Sequence, residues 1–550
     1  MDLQNHIRNK LENAIEKSGF GTAVEDYMLV LEKPKQENFG DISTPVAMNL
    51  APVVKQAPRQ IAQRIVDQFE IDPYYIEKIE LAGPGFINFF LSKKCLQNAV
   101  AQINEQGRTY GHSDLHKGKS AQFEFVSANP TGPLNIVSAR AAAVGDVLSN
   151  LQAAIGVDVE REFYVNDAGR QIRLLGASLN SRYMTELGHD EPVPEDGYHG
   201  HYLKELAEEL VQNEGDKYAA LDKEKRLEAL SRLALEEMLK RQKKSLQHYR
   251  LQFDNWYRES RLRQKKAHLK LLDLFKEKKL AYEKDGAIWF RSGDFGDEKD
   301  RVLVTREGEP TYFLVDIAYH QTKYERRFDK VYDIWGPDHH GYIGRMQAAM
   351  QALGHGKESF QVIIVQQVNL FRDGKVVKMS KRAGEIIEMD ELIEEVGVDA
   401  ARYFFADRRL SQPLDFDIDL AKKQSDENPV YYVQYAHARI CNILRFAREK
   451  ELEPDEEALS LLNNESEMSL IKKVIDFVDI VEKAALNLEP HRLTNYLHEL
   501  ATVFHRFYHD NRVVSEDAAL TGARLALVTA ARQVFANGLE ILGVSAPENM

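Results

Sequence analysis

Two cysteines, Cys95 and Cys441, are all that the 550 residues contain. That excludes a disulfide framework and a thiolate zinc site and points to a reducing, cytoplasmic setting. Long hydrophobic runs are missing as well. No stretch approaches 18 uninterrupted apolar residues, and residues 1–17 mix charges at helical spacing without an apolar core of signal-peptide length, so neither a membrane span nor a secretory leader is expected. Positive charge is in deficit: 72 Lys and Arg against 86 Asp and Glu leave a net charge of −14. A generally polybasic nucleic-acid binder is thereby excluded, whereas a locally basic groove is not. Internal repeats and low-complexity tracts are absent. What remains is a chain that is 43% apolar and 29% charged, long enough for three to four domains of about 150 residues and able to build more than one core.

Residues 1–111 read as a small α+β unit. A charged helix is followed by an extended segment from Tyr27 to Glu32, the loop Asn38-Phe39-Gly40-Asp41, one helix from Ser43 to Phe69, and strand-like residues 78–91 interrupted by Gly83-Pro84-Gly85. Residues 118–418 change texture. A strand from Phe123 to Ser127, a helix from Ser138 to Ile155 and a strand from Val159 to Val165 make a βαβ unit of a parallel, Rossmann-like sheet, which binds ligands at the carboxyl ends of its strands. Further strands are expected at residues 330–335 and 360–368, with a charged helical insertion at about 174–287. Within it, residues 240–270 hold eleven Lys or Arg and two acids, readable either as a solvated helix face or as a phosphate-attracting surface. Residues 419–550 show apolar spacings of three and four throughout and predict an all-α bundle.

Several local patterns carry chemistry. Lys378-Met379-Ser380-Lys381-Arg382 places three cations in five residues on a loop, able to close over a polyphosphate and offset the charge that develops as pyrophosphate leaves. The run from Glu124 to Pro133 delivers Glu124, Ser127 and Asn129 where the βαβ unit opens toward ligand, with Pro130 and Pro133 stiffening the turn and the next helix aiming its positive end into the crevice. Tyr312 and Asp316 stand four residues apart on one predicted helical face, where a carboxylate suits the paired N–H donors of a guanidinium. Asp338-His339-His340 follows a strand, but adjacent histidines point apart and no further ligand lies at zinc spacing, so no metal site is expected. Gly118-Lys119-Ser120 and Gly356-Lys357 lack the spacing of a phosphate-binding P-loop.

Taken together the sequence resembles the arginyl-tRNA synthetases of bacterial type, class I enzymes, from end to end. The resemblance rests on Asn38-Phe39-Gly40-Asp41, Gly83-Pro84-Gly85-Phe86, residues 124–133, Phe163-Tyr164-Val165-Asn166-Asp167-Ala168-Gly169, Asp338-His339-His340-Gly341-Tyr342, residues 378–382, Tyr435-Ala436-His437-Ala438-Arg439 and the closing Ala546-Pro547-Glu548-Asn549-Met550. It implies an N-terminal domain that contacts the tRNA elbow, a Rossmann-like catalytic domain and a C-terminal anticodon-binding bundle. The implied reaction joins L-arginine to ATP, accompanied by Mg2+, as arginyl-adenylate, then passes the arginyl group to the 2′-OH of the terminal adenosine of tRNA(Arg). A monomer without a tightly bound cofactor is expected. By the same resemblance Glu124, Tyr312 and Asp316 hold the guanidinium, and Ser127 and Asn129 the amino-acid end. Asn135, Val137, Ser138, His340, Lys378, Met379, Ser380 and Lys381 meet ATP, with Lys378, Lys381, Asn135 and Ser138 the catalytic candidates.

The sequence departs from the family at one place. After the Asn-Pro-Thr-Gly turn the family carries a His-any-Gly-His tetrad, and this chain has Asn135-Ile136-Val137-Ser138. Asn135 and Ser138 offer hydrogen bonds but no positive charge, and losing one preorganised donor to a developing charge costs about 3 kcal/mol, roughly a hundredfold in rate. Two readings follow: a working arginine–tRNA ligase compensated elsewhere, or a weakened or non-catalytic tRNA-binding paralogue.

Overall fold

Runs of β-branched and aromatic residues dictate the central layer. The computed structural model describes residues 3–25, 28–34, 36–377 and 387–550. Among them, strands Ser120–Glu124, Asp158–Val165, Asn255–Arg258, Lys330–Trp335 and Phe360–Ile364 form one sheet. All four pairings are parallel. Numbered along the chain, the strands lie in the order 3-2-1-4-5, a doubly wound Rossmann-type arrangement that reverses direction between Ser120–Glu124 and Lys330–Trp335.

Both faces of the sheet are covered, and alternate residues choose between them. Tyr332 stacks on Phe123 with ring centroids 4.5 Å apart, on the side where the helix Ile136–Ala154 buries Ala139, Ala142, Ala143, Val144 and Val147. Its neighbour Val331 packs with Phe313, Leu314 and Ile317 of the helix Tyr312–Glu325. The Ile136 helix approaches so closely that a Cβ on Gly145 would stand 2.3 Å from the Phe125 ring, so glycine is required there.

Several element boundaries differ from the sequence reading. The expected helix from Ser43 to Phe69 is a strand, Ile42–Thr44, and two helices, Val46–Val54 and Pro58–Asp67. Lys55 turns left-handed between the helices, and Pro58 opens the second of them. The first strand of the catalytic sheet ends at Glu124 rather than Ser127, because Val126 and Ser127 adopt φ of 67° and 36°. The stretch 360–368 divides between Phe360–Ile364 in the central sheet and Val368–Arg372 in a separate three-stranded sheet. Finally, strand Asn255–Arg258 lies inside the stretch read as helical insertion and forms an edge of the main sheet. Tyr27, the start of an expected extended segment, lies outside the described residues.

The last quarter is a bundle of the helices Pro429–Glu449, Glu465–Ile475, Phe477–Leu486, His491–Asp510 and Ala518–Leu542. By length and composition Ala518–Leu542 could cross a bilayer, yet Leu525, Ala526, Leu527, Ala530 and Val534 are fully buried within the protein. The bundle grips the catalytic sheet through the Ile136 helix. Asn150 donates to the Ile541 carbonyl (2.9 Å), and Gln152 to that of Ala485 (2.7 Å). Asp146 pairs with fully buried Arg402, which donates to the carbonyls of Leu542 (3.0 Å) and Tyr249 (3.1 Å). The N-terminal unit is tied to the same bundle by Asp41–Lys472 (2.6 Å) and by the Tyr110 hydroxyl on the Val474 carbonyl (3.2 Å). A cavity of about 1050 Å³ lies between these two units.

Candidate active site

The reversal of strand order opens a crevice at the carboxyl ends of the strands ending in Glu124 and Trp335. The chain leaving Glu124 is strained: Val126 and Ser127 are consecutive left-handed residues, and each such conformation costs about 1–3 kcal/mol. The bend turns Ser127 back on the strand, where its hydroxyl donates to Glu124 Oε1 (2.9 Å) and accepts from the Tyr164 amide (3.0 Å). Gln242, from the helix Lys223–His248, then donates to the carbonyls of Asn129 (3.1 Å) and Gly132 (2.9 Å). The Tyr202 hydroxyl reaches the Thr131 carbonyl, so the inserted helices hold the Asn129–Gly132 turn from outside.

Asn135 follows as the N-cap of the Ile136 helix. Its Oδ1 accepts from the amides of Val137 and Ser138, both at 3.0 Å, which satisfies two of the helix's first donors. Asn135 therefore spends its acceptor on the helix and keeps only its amide N–H donors for a ligand. Val137 is 47% exposed beside it, and Ser138 is half-buried. Asn135 also bridges to Glu388, at the foot of the segment that begins after residue 386.

The opposite wall is the helix Tyr312–Glu325, capped by Thr311. Its inward face carries an ion layer. The Lys323 ammonium, with no exposure, lies 2.6 Å from Glu124 Oε2 and 2.8 Å from Asp333 Oδ1. His320 contacts Asp333 through Nε2 (2.6 Å), and through Nδ1 it reaches the Asp316 carbonyl (2.8 Å) and Oδ1 (3.3 Å). The Tyr319 hydroxyl lies between Glu124 (2.8 Å) and Glu162 (2.5 Å), and Arg326 grips Glu162 with both Nη atoms. Glu124, His320 and Asp333 are close enough to hold a metal ion, but Lys323 already bonds to both acids.

Burial and charge oppose each other throughout this layer. Burial would pull Lys323 down, and Asp333 with Glu124 outweighs it, holding the ammonium above its ordinary value. Burial would likewise lower His320, but Asp333 raises it to about 10. Asp333 itself is held below the usual carboxylate range, because Lys323 and His320 overcome its burial. For Glu124 burial wins, and its carboxyl is pushed up.

The sequence-selected residues thus fall into groups. Glu124 and Ser127 touch, and Asp316 joins them through His320, Asp333 and Lys323. Tyr312 stands one turn above Asp316 at the start of its helix, 81% exposed. Asn129, on the loop after Glu124, and His340, in the 3-10 turn Pro337–Tyr342 after Trp335, are both exposed. Asn135, Val137 and Ser138 share one helical turn. Lys378, Met379, Ser380 and Lys381 lie outside the described residues.

Sequence reasoning missed Lys323, His320, Gln242, Tyr164 and Glu259. Glu259, itself buried, lies near the Tyr164 hydroxyl, which burial and then Glu259 and Asp316 push upward. The helical spacing of His320 and Lys323 behind Asp316 was the one available signal. Part of the basic stretch 240–270 is paired within the chain: Lys240 with Glu237, Arg241 with Glu205, Arg250 with Asp399, Arg258 with Glu236 and Arg263 with Glu259.

Comparison with known proteins agrees along the whole length. Residues 2–91 match the model of the arginyl tRNA synthetase N terminal domain, residues 99–415 that of tRNA synthetases class I (R), catalytic domain, and residues 433–550 the DALR anticodon binding domain. Arginine–tRNA ligase 1 of Halalkalibacterium halodurans is 46% identical over 550 residues, covering 100% of this chain and 99% of the relative. The arginine–tRNA ligase of Geobacillus thermodenitrificans is 47% identical over 551 residues, with the same coverage. The solved Thermus thermophilus arginyl-tRNA synthetase superposes with a TM-score of 0.78 over 99% of this chain and 100% of its own, at 21% identity, a likeness of fold. With family models spanning all three parts and relatives matched from end to end, the chain belongs to the bacterial-type arginyl-tRNA synthetase family of class I.

Proposed function

We propose that this chain activates L-arginine with ATP and Mg2+ to arginyl-adenylate and transfers the arginyl group to the 2′-OH of the terminal adenosine of tRNA(Arg). The observation that carries the reading is the acid-lined crevice at the strand-order reversal, where Glu124 and Asp316 belong to one buried network. In that layer, among the described residues, Glu124, Glu160, Glu162, Asp316 and Asp333 pair with three cations, His320, Lys323 and Arg326. An arriving guanidinium meets uncompensated negative charge.

In this reading Asp316, Tyr312 and Glu124 take the guanidinium, and Ser127 and Asn129 the amino-acid end. ATP lies along the first turn of the Ile136 helix, against Asn135, Val137, Ser138 and His340. Lys378, Met379, Ser380 and Lys381 close over its phosphates, Lys378 and Lys381 offsetting the charge on departing pyrophosphate. On the bundle, Arg439 lies over Tyr435 (4.5 Å) and Tyr508 (5.1 Å), a stacking surface for unpaired anticodon bases. The enzyme acts as a cytoplasmic monomer, and its two free, buried cysteines accord with that compartment.

The end-to-end similarity to arginine–tRNA ligases supports a working enzyme over a non-catalytic paralogue. The deciding experiment is arginine-dependent exchange of pyrophosphate into ATP with tRNA(Arg) present. Exchange above a no-arginine control is expected; tRNA binding without exchange would identify the paralogue. In a companion variant, Asn135→His, Val137→Gly and Ser138→His together, a steep rise in rate would show that the tetrad limits the native chain.

A further inference from the structure

Among the described residues, His320 touches none assigned above to ATP, yet it is the one side chain that contacts both Asp316 and the buried acid beneath it. Its ring is sealed between Tyr319 and Phe360, with edge-on centroid distances of 5.2 and 5.3 Å. Nε2 faces Asp333 Oδ2 at 2.6 Å and Nδ1 faces the Asp316 carbonyl at 2.8 Å. Both partners are acceptors, so both ring nitrogens must donate and the ring is an imidazolium. The Nδ1 proton is shared with Asp316 Oδ1 at 3.3 Å. The Tyr342 hydroxyl approaches the same carboxylate, which is about one-third exposed at its outer side. The remaining charge facing the ring is Lys323, which bonds Asp333 from the other side (2.8 Å) and so locks the anchor on which His320 rests.

Resting on the function proposed above, we propose that His320 is a positioning residue for arginine: anchored on Asp333, it fixes the Asp316 carboxylate so that the free oxygen faces the guanidinium. A group that sets the angle of one carboxylate governs recognition of the substrate that meets it and leaves ATP handling alone.

The two halves of the ring can be tested separately, because an asparagine amide reproduces the Nδ1 donor and a glutamine amide the Nε2 donor. In aminoacylation by the full chain, His320→Gln is expected to raise KM for arginine at least tenfold, with KM for ATP within twofold of the parent. His320→Asn, which keeps the contact to Asp316, is expected to raise KM for arginine no more than threefold. A folded His320→Gln protein with unchanged arginine KM overturns the inference, as do equal effects of the two variants, since a merely structural histidine would not separate them. Should His320→Gln fail to fold, the parent chain with 15N-labelled histidine serves, its His320 signals assigned from His320→Asn. Those signals are expected to move on adding L-arginine and to stay on adding ATP alone, and no movement with arginine counts against the proposal. A parent chain that charges no tRNA defeats the functional reading itself. A charging parent with an indifferent His320→Gln defeats only this inference.

Discussion

At the scale of single residues, the charged groups beneath the crevice set how the protein responds to pH. His320 is raised from an ordinary 6.5 to about 10, so the stability it contributes is fully present below pH 6.5 and is lost as pH climbs toward 10. Thermal melts across that window are expected to show a falling midpoint in the parent and a flatter profile in His320→Gln. Glu124 is shifted upward by burial, with Lys323 opposing, so it ionises at a higher pH than a free carboxylate. Affinity for arginine is therefore expected to increase with pH through the acid range, and Glu124→Gln to remove that dependence while weakening binding at least tenfold. Calorimetric titration with L-arginine at several pH values measures both. Asn135 makes a different contribution, since its side chain caps the Ile136 helix. Asn135→Ala is expected to lose about 1 kcal/mol of stability, whereas Asn135→Asp keeps the cap and raises KM for ATP by placing a negative charge beside the phosphates.

At the scale of elements, the sequence revealed most where periodicity and local chemistry agree. The βαβ unit, the Tyr312 helix and the bundle were legible because their apolar residues repeat at 2.0 or 3.6. Strand Asn255–Arg258 was not: four residues cannot display a period, and they sit among lysines and arginines that read as helix surface. The break at Lys55 was hidden because the helical spacing of apolar residues runs through it, although Pro58 marks it in hindsight. Glu124, Ser127 and Asp316 were readable as acids and donors at strand or helix positions facing ligand. Lys323 and His320 were not, because cations on a helix ordinarily face water, and only a tertiary contact shows that these face inward. On the bundle, Arg439 with Tyr435 and Tyr508 forms one surface element. Arg439→Ala is expected to raise KM for tRNA about tenfold through lost stacking and charge, with the constants for arginine and ATP unchanged in steady-state charging.

At the scale of the whole molecule, a chain of net charge −14 must bind a polyanion by local attraction. Log KM for tRNA is therefore expected to rise linearly with log salt while KM for arginine, proposed to bind in the sheltered crevice, changes little. The molecule is also mechanically continuous. The Ile136 helix begins at the catalytic crevice and, farther along, is bonded to the ends of two bundle helices through Asn150 and Gln152. Any displacement of the bundle would thus be borne by the same rod whose first turn is the proposed ATP wall. Gly543, at the end of that contact, has φ of 65°, and a Cβ there would stand 2.1 Å from Arg402 Nη2. Gly543→Ala is expected to destabilise the chain by several kcal/mol, read as a lowered melting midpoint.

Lys323 extends beyond substrate recognition. Because the counter-ion of Glu124 and Asp333 is covalently part of the polypeptide, this layer can assemble as soon as translation delivers it. Assembly of the crevice is therefore expected to need no trace ion, with refolding yields with and without EDTA coinciding.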